Sequence, residues 1–325
     1  MSVKDKALEF FEKSKGVYVS GEKLAKELGV TRSSVFKAVK ALREEEYKIE
    51  AVPSKGYCFL EGRDILSVSG IKKYLLPELK DMDINVYASL PSTNLLLNEM
   101  AASSGADEGK VVISKSQTGG KGRRGRTFFS PPNTGIYLSI LLMPRLSAEE
   151  SVFITTAAAV AVCRAVEKVS GRIALIKWVN DVLLDGKKIC GILTEASVDM
   201  ESGNISYAVL GIGINVYEPP EGFPDEIKNI AGSIFKNRGN DMLNKIAAGF
   251  LNEFMGIYAR IEEDKSFTEE YKKRSLALGK HVSVLLPKGE TLADVLDIDD
   301  SCHLVVRYMN GKRETLSSGE ISIRL

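Results

Sequence analysis

Gly119-Gly120-Lys121-Gly122-Arg123-Arg124-Gly125-Arg126 packs four glycines and four cations into eight residues. Glycine lets a backbone fold back on itself and leaves N–H groups uncovered, while guanidinium and ammonium groups donate to phosphate or carboxylate. A solvated basic turn gains nothing from glycines set among its cations, so the segment reads as an anion-binding loop. It lies between two strand-like runs, Val111 to Ser114 and the mostly apolar Gly135 to Leu142. A phosphate-cradling P-loop needs strand, G-x-x-x-x-G-K-[ST] and helix. The nearest approach, Gly105 to Val111, has the wrong spacing and no hydroxyl after Lys110. The loop is a strand-to-strand connection.

A second constellation runs from Lys177-Trp178-Val179-Asn180-Asp181 through Asp185-Gly186 to Lys188-Ile189-Cys190-Gly191-Ile192-Leu193. Asp-Gly between two apolar runs is a hairpin signal, which puts Lys188 at the start of the returning strand, a cation on a rigid element. Taken singly, Asn180 and Asp181 are turn formers, and Ser92-Thr93-Asn94 after Pro91 reads as a helix start.

At 325 residues, 44% of them hydrophobic, the chain is long enough for two or three domains with ordinary cores. Its 44 basic and 43 acidic residues give no global attraction to nucleic acid, so any such binding needs a local face. Cys58, Cys163, Cys190 and Cys302 form no C-x-x-C pair, and only His281 and His303 are at hand as further soft ligands, which argues against a structural zinc. No metal ligands are assigned from sequence. The apolar run from Ser151 to Cys163 is too short to span a bilayer and the N-terminus shows no apolar signal segment, so no membrane association and a cytoplasmic, reduced setting are expected.

In residues 1 to 62, Ser20 is placed to cap a helix through Leu28, Gly29 to break it, and Thr31 to cap a second helix with Val35, Val39 and Leu42 on one face. This spacing predicts a helix-turn-helix, and Tyr47 to Val52 with Gly56 to Leu60 predicts a wing around Pro53-Ser54-Lys55. The second helix of such a unit enters the major groove, where Arg32, Ser33, Ser34 and Lys37 are able to donate to bases or phosphates. Residues 1 to 60 hold 12 Lys or Arg against 9 Asp or Glu, a surplus of three that is small for a DNA binder. A helical protein-interaction domain is the competing reading.

Together these residues resemble the biotin protein ligases. The family's G-R-G-R-R-G-R-x-W-x-S-P appears as Gly120 to Pro131, its K-W-P-N-D as Lys177 to Asp181, and its K-x-x-G-I-L as Lys188 to Leu193. Ser92-Thr93-Asn94 resembles its S-T-N, and Gly211-Ile212-Gly213-Ile214-Asn215 its G-x-G-I-N. Five motifs in the family's order are far more specific than any one. In three places the chain departs: Lys121 stands for arginine and loses a bidentate fork, Val179 for proline, and Phe128 for tryptophan.

The resemblance implies an α+β multidomain fold. The expected units are a winged helix-turn-helix (1–62), a linker (63–82), a catalytic domain related to the class II aminoacyl-tRNA synthetase core, with a mixed sheet and helices (83–275), and an SH3-like β-barrel (276–325). Helices are expected over Ser151 to Val169 and Asn244 to Ile261, and Tyr217 to Ser233, rich in Pro, Gly and charge, reads as a loop able to close over a ligand. In the tail, β-rich runs span His281 to Leu286, Leu292 to Ile298, Cys302 to Tyr308 and Gly319 to Leu325.

The implied reaction joins biotin to ATP with Mg²⁺, giving biotinoyl-5′-AMP, and then passes biotin to a lysine of a biotin carboxyl carrier protein domain. Carboxylate and triphosphate repel one another, so cations must sit where they meet, and Arg123 and Lys188 are the candidates for catalysis. The biotin site implied is Ser92, Thr93, Asn94, Gln117, Lys121, Gly122, Arg123, Lys188 and Gly191. For ATP and its phosphates the set is Lys121, Arg124, Arg126, Lys177, Asn180, Asp181 and Asn215. The bifunctional ligases of this family also repress biotin genes, so operator DNA and a homodimer promoted by biotinoyl-AMP are the further partners implied. A lipoate or octanoyl protein ligase, and a transcription factor with a catalytically dead sensor domain, are the alternatives.

Overall fold

The computed structural model describes residues 2–44, 47–60, 64–103, 107–286, 289–317 and 319–323. The N-terminal unit starts with α1 (Val3–Lys13), closed by a reciprocal capping box between Ser2 and Asp5. Strand β1 (Tyr18–Val19) leads into α2 (Gly21–Leu28), whose first turn is capped by the Ser20 hydroxyl. Gly29, at φ 64°, turns the chain out of α2 through the left-handed region. Thr31 then accepts from the Ser34 N–H at the head of α3 (Arg32–Glu44). Strands β2 (Ile49–Val52) and β3 (Gly56–Phe59) make the wing, completed by β1 in the order β1-β3-β2. Ala7, Phe11, Leu24, Val35, Val39, Leu42 and Phe59 form this unit's own core. The helix-turn-helix and wing therefore stand where the sequence placed them. The expected boundary at residue 62 lies outside the described residues.

The central sheet gathers β4 (Ile84–Tyr87), β5 (Val111–Ser114), β6 (Gly135–Leu142), β7 (Ala174–Lys177), β8 (Asp181–Leu184), β9 (Lys187–Val198) and β10 (Ile205–Asn215). Their order is β4-β5-β6-β10-β9-β8-β7, antiparallel except for the β4–β5 pair, so it is a mixed sheet. Alternating residues point to opposite faces. Val111, Ile113, Ile140 and Leu142 therefore join one core, and Val112, Leu141 and Val209 the other, under α5 (Thr93–Ala102). The first core is filled by α6 (Val152–Ser170), of whose 19 residues 12 are buried, and by α7 (Met242–Tyr258). A helix apolar on nearly every side belongs between layers, which is where the 13-residue apolar run sits. Among the described residues no helix is long and apolar enough to cross a membrane.

The 63–82 stretch carries α4 (Val68–Tyr74), and Leu66, Ile71 and Leu75 are buried in the central core. Asn244 of α7 fixes this segment by accepting from the Ser67 N–H and donating to the Ile65 carbonyl. After α8 (Phe267–Lys273) the chain forms a second sheet of β11 (His281–Leu286), β12 (Gly289–Ile298), β13 (Leu304–Tyr308), β14 (Arg313–Leu316) and β15 (Glu320–Ile323). The order is β14-β13-β12-β11-β15. Strand β14 escapes sequence reading because Arg-Glu-Thr-Leu offers one buried apolar residue, Leu316, in four. The end of the last run, residues 324 and 325, lies outside the described residues.

The winged unit is tied to the central domain by a buried ion pair. Lys15 Nζ lies 2.8 Å from Asp241 Oδ1 and 3.1 Å from Glu12 Oε2, with the Lys15 side chain 10% and the Asp241 side chain 3% exposed. The Tyr74 hydroxyl donates to the other oxygen of Asp241. Burial alone pushes the Asp241 carboxyl up, but the hydrogen bonds and charges of Lys15, Tyr74 and Lys73 outweigh it and hold the group below the usual carboxylate range. Glu12 goes the other way, raised by burial that Lys15 only partly offsets. Removing one partner leaves a buried charge uncompensated. Asp241→Ala is expected to weaken docking of the winged unit by about 3 kcal/mol, read as lost amide protection across α1 and the head of α7. Combined with Lys15→Met it should cost less than the sum of the two single changes; strictly additive losses would mean that the two residues are not coupled.

Candidate active site

The glycine-rich loop spans β5 and β6 and is closed by its own backbone. Phe128 N–H donates to Gly120 O at 2.9 Å and Gly122 N–H to Arg126 O at 2.7 Å, with Arg124 at φ 56° in the left-handed region at the tip. The Gly119 N–H donates to Pro91 O. Two of the glycine N–H groups read as uncovered are thus used inside the protein.

Phe128, at the loop's end, lies on the sheet where it has no side chains. Gly191 of β9 and Gly213 of β10 face each other in register. A Cβ on Gly213 would stand 2.3 Å from the Phe128 ring, and one on Gly191 3.0 Å from it. Next along β10, a Cβ on Gly211 would meet Asn94 Oδ1 at 2.0 Å. The G-x-G pattern is thus a steric requirement: the strand must be bare for an aromatic ring and an amide to reach it.

At the head of α5, Ser92 caps the helix through the Leu95 N–H, and Ser92, Thr93 and Asn94 are all buried. The Asn94 amide donates to Glu195 Oε2 at 2.8 Å, and its oxygen accepts from the Ser139 hydroxyl at 2.6 Å. The Ser139 hydroxyl also lies 2.7 Å from Thr93 Oγ1, which donates to Gln117 Oε1 at 3.3 Å. Gln117 accepts from the Thr93 N–H at 2.8 Å and donates to Ser130 Oγ at 3.0 Å. These polar groups form one satisfied network, which fixes the orientation of each. Ser139, Ser130, Glu195 and Phe128 have no assigned role in the sequence reading. The signal for Ser139 was the one serine in a strand, Gly135 to Leu142, whose other residues are aliphatic, glycine or tyrosine.

All nine residues of the expected biotin set line one inner hollow of about 50 Å³. A wider outer hollow of about 190 Å³ is lined by Arg124, Arg126, Lys177, Asn180, Asp181 and Asn215, six of the seven residues expected for ATP. Lys121, expected in both sets, lines only the inner one. Gly122, Arg123, Phe128, Asn180 and Lys188 belong to both, so the hollows are continuous and meet at two cations. Lys188 Nζ lies 2.7 Å from Asp181 Oδ1, and Arg123 donates to Asn180 Oδ1 at 3.3 Å. The Asn180 amide donates to Ile192 O, and Ile192 N–H donates back to Asn180 O, so the residue is clamped to β9.

The Asp185-Gly186 hairpin joins β8 and β9 as expected, with both residues at positive φ. The backbone of Lys188 is held from its open side too: its N–H donates to Ile230 O at 2.7 Å, and its carbonyl accepts from Gly232 N–H at 2.9 Å. The far end of the 217–233 segment is thus bonded to the strand bearing the lysine. Phe223, Ile227, Ile230 and Ala231 from this segment give the outer hollow an apolar wall. The C-terminal sheet contributes Gly319 and Ile321, and Trp178 anchors it by donating to Cys302 O at 3.0 Å. Tyr271 donates to Val179 O, supporting the turn before Asn180; the Trp178–Val179 peptide is cis.

The four residues expected to meet DNA lie away from this cleft, on α3. Arg32, Ser33 and Lys37 are exposed, while Ser34 is half-buried with its hydroxyl 2.9 Å from Thr31 Oγ1. Among the described residues no group of three or more His, Cys, Asp or Glu is arranged to hold a metal, and all four cysteines are buried thiols.

Three sequence profiles match this layout. The profile of the biotin/lipoate A/B protein ligase family covers residues 86–215, an HTH domain profile covers 4–58, and a biotin protein ligase C-terminal domain profile covers 277–324. The bifunctional ligase/repressor BirA of Bacillus subtilis is 32% identical over 96% of both chains, and that of Escherichia coli is 25% identical over 95% of this chain and 94% of its own. The structure of biotin protein ligase from Aquifex aeolicus in complex with biotin and ATP is similar over 74% of this chain and 98% of its own, with 25% identity and a TM-score of 0.60. The chain belongs to the biotin protein ligase family, in its ligase/repressor form with an N-terminal helix-turn-helix domain.

Proposed function

We propose that the protein activates biotin with ATP and transfers it to a lysine of a biotin carboxyl carrier protein domain in the cytoplasm, and that the same ligand governs its binding to operator DNA. The observation carrying this is the junction of an inner polar hollow and an outer cationic one at Arg123 and Lys188. Biotin's ureido head needs both donors and acceptors in a confined site, and Ser92, Thr93 and Gln117 supply them from the buried network. The inner hollow opens into the outer one beside Phe128 and Arg123, so a ligand seated there lies against both.

A carboxylate oxygen of biotin attacks the α-phosphorus of ATP, the bond to the β-phosphate breaks, and pyrophosphate leaves. Negative charge gathers between two anions, where Arg123 and Lys188 offset it in a partly enclosed site. The carrier's lysine, as free amine, then attacks the acyl carbon, AMP leaves, an amide forms and a proton is released. Arg124, Arg126 and Lys177 line the side where the leaving phosphates would lie, with Asn215 beside them. Asp181 is the carboxylate among the described residues of the outer hollow, and it fits Mg²⁺ shared with phosphate oxygens and water, an ion that needs only one or two protein carboxylates. Bound there, the ion would supply charge neutralisation for pyrophosphate.

Biotin is favoured over lipoate by the Gly-Arg loop and the Lys-Trp-x-Asn-Asp segment. We assign the central sheet to the class II aminoacyl-tRNA synthetase type and the C-terminal one to the SH3-like type on the same resemblance. The winged unit's small charge surplus makes one copy a weak DNA binder, and a two-fold dimer would present two recognition helices and multiply their affinity.

Lys188→Ala is expected to lose two to three orders of magnitude in adenylate formation, roughly 3–4 kcal/mol, with the fold intact; near-normal pyrophosphate release would remove Lys188 from catalysis. In Arg123→Gly, biotinoyl-AMP should escape faster and label nearby lysines indiscriminately, and a variant leaking no more than the parent would show that Arg123 does not retain the intermediate. Biotin plus ATP should strengthen both self-association in sedimentation equilibrium and retention of operator DNA. Equal behaviour with and without ligand would eliminate ligand-coupled repression.

A further inference from the structure

The outward face of α3 holds an aromatic ring that the fold does not use. Val35, Ala38, Val39 and Leu42 turn inward to the core, while Phe36 is 61% exposed. At about 100° per residue, Phe36 falls between Arg32, one turn before it, and Lys40, one turn after it, with Ser33 and Lys37 beside them. Isolated exposed apolar residues are common. This one, however, is surrounded by donors at the centre of a face that carries Arg32, Lys37 and Lys40, with the helix's acid, Glu44, at its far end. Charge on that face suits a phosphate backbone, and the helix is the one the helix-turn-helix arrangement presents to a major groove.

Resting on that DNA-binding role, we infer that Phe36 reads sequence by packing its ring on the 5-methyl group of a thymine. In the major groove that methyl is the one apolar feature distinguishing T·A from the other pairs, and a phenyl ring meets it without needing a hydrogen-bond partner. Arg32, Ser33, Lys37 and Lys40 then position the helix through phosphates and base edges, leaving the methyl contact as the discriminating one at its position. The ring's exposure also means that truncating it removes nothing from the domain core.

The test uses the full-length protein with biotin and ATP. A binding site is first selected from a random duplex pool, and each thymine in it is then replaced by uracil, which deletes only the methyl. One thymine per half-site is expected to lose roughly four-fold in affinity on replacement, the weight of one buried methyl. Phe36→Ala should be insensitive at that position, Phe36→Leu should retain part of the sensitivity, and both should ligate biotin at the parent rate. Equal uracil sensitivity in parent and Phe36→Ala, or no sensitive thymine in the parent, would overturn the inference. Failure of the parent to enrich any sequence would instead overturn the DNA-binding reading itself and this inference with it.

Discussion

The register of β9 against β10 is the constraint on which the cleft depends. With Gly191 opposite Gly213, the sheet has a patch of bare backbone under Phe128, and Gly211 extends it beneath Asn94. Side-chain direction alternates along a strand, so a slip of one residue would bring Cys190, Ile192 or Ile214 to the cleft and fill it. The buried apolar residues on the opposite face, Ile192, Ile212 and Ile214 among them, hold the register by packing under α6 and α7. A core that is only hydrophobic in chemistry thus determines where a polar site opens.

Above that floor the two cations of the cleft, Lys188 and Arg123, are held in different ways. Lys188 lies at the start of a strand paired with β8, and its own N–H and carbonyl are bonded to Ile230 and Gly232 on the other edge. Arg123 sits instead on a turn closed by a few backbone bonds. One cation is thus placed by a sheet and the other by a turn, and in the proposed reaction both would offset charge between two anions. The segment after Tyr217 connects this site to the rest of the molecule. The Tyr217 hydroxyl donates to Asp64, in the stretch that leaves the winged unit, and Asp64 accepts from the Leu243 N–H at the head of α7, beside the Lys15–Asp241 pair. Tyr217, at the start of the 217–233 segment, thus meets Leu243 at the head of α7 through Asp64, and Leu243 is two residues along the chain from the Asp241 that pairs with Lys15.

Much of this was legible in the chain because the decisive signals are local. Ser20, Gly29 and Thr31 bound their helices by capping, Asp185-Gly186 dictates its own hairpin, and Gly135 to Leu142 is a strand at both ends as read. The proposed site sets rest on five motifs in a family's order, and the sheet brings those residues to one cleft. What stayed hidden depends on contacts distant in sequence. Lys15 and Asp241 are 226 residues apart, and Ser67 meets Asn244 across 177. The stretch expected as a linker showed no strong pattern, since α4 owes its place to Asn244 and the α7 surface rather than to its own seven residues. Strands β1 and β14 are too short or too polar to declare themselves, and only pairing makes them strands.

A crystal structure of the protein with biotinoyl-5′-AMP tests the two-hollow site most directly. The ureido ring is expected beside Thr93 and Gln117, the acyl phosphate between Arg123 and Lys188, and the adenine against the apolar wall of Phe223, Ile227 and Ile230. An adenylate bound outside this cleft, or seated in it with Arg123 and Lys188 both away from the phosphate, would contradict the assignment of that junction as the centre of the chemistry.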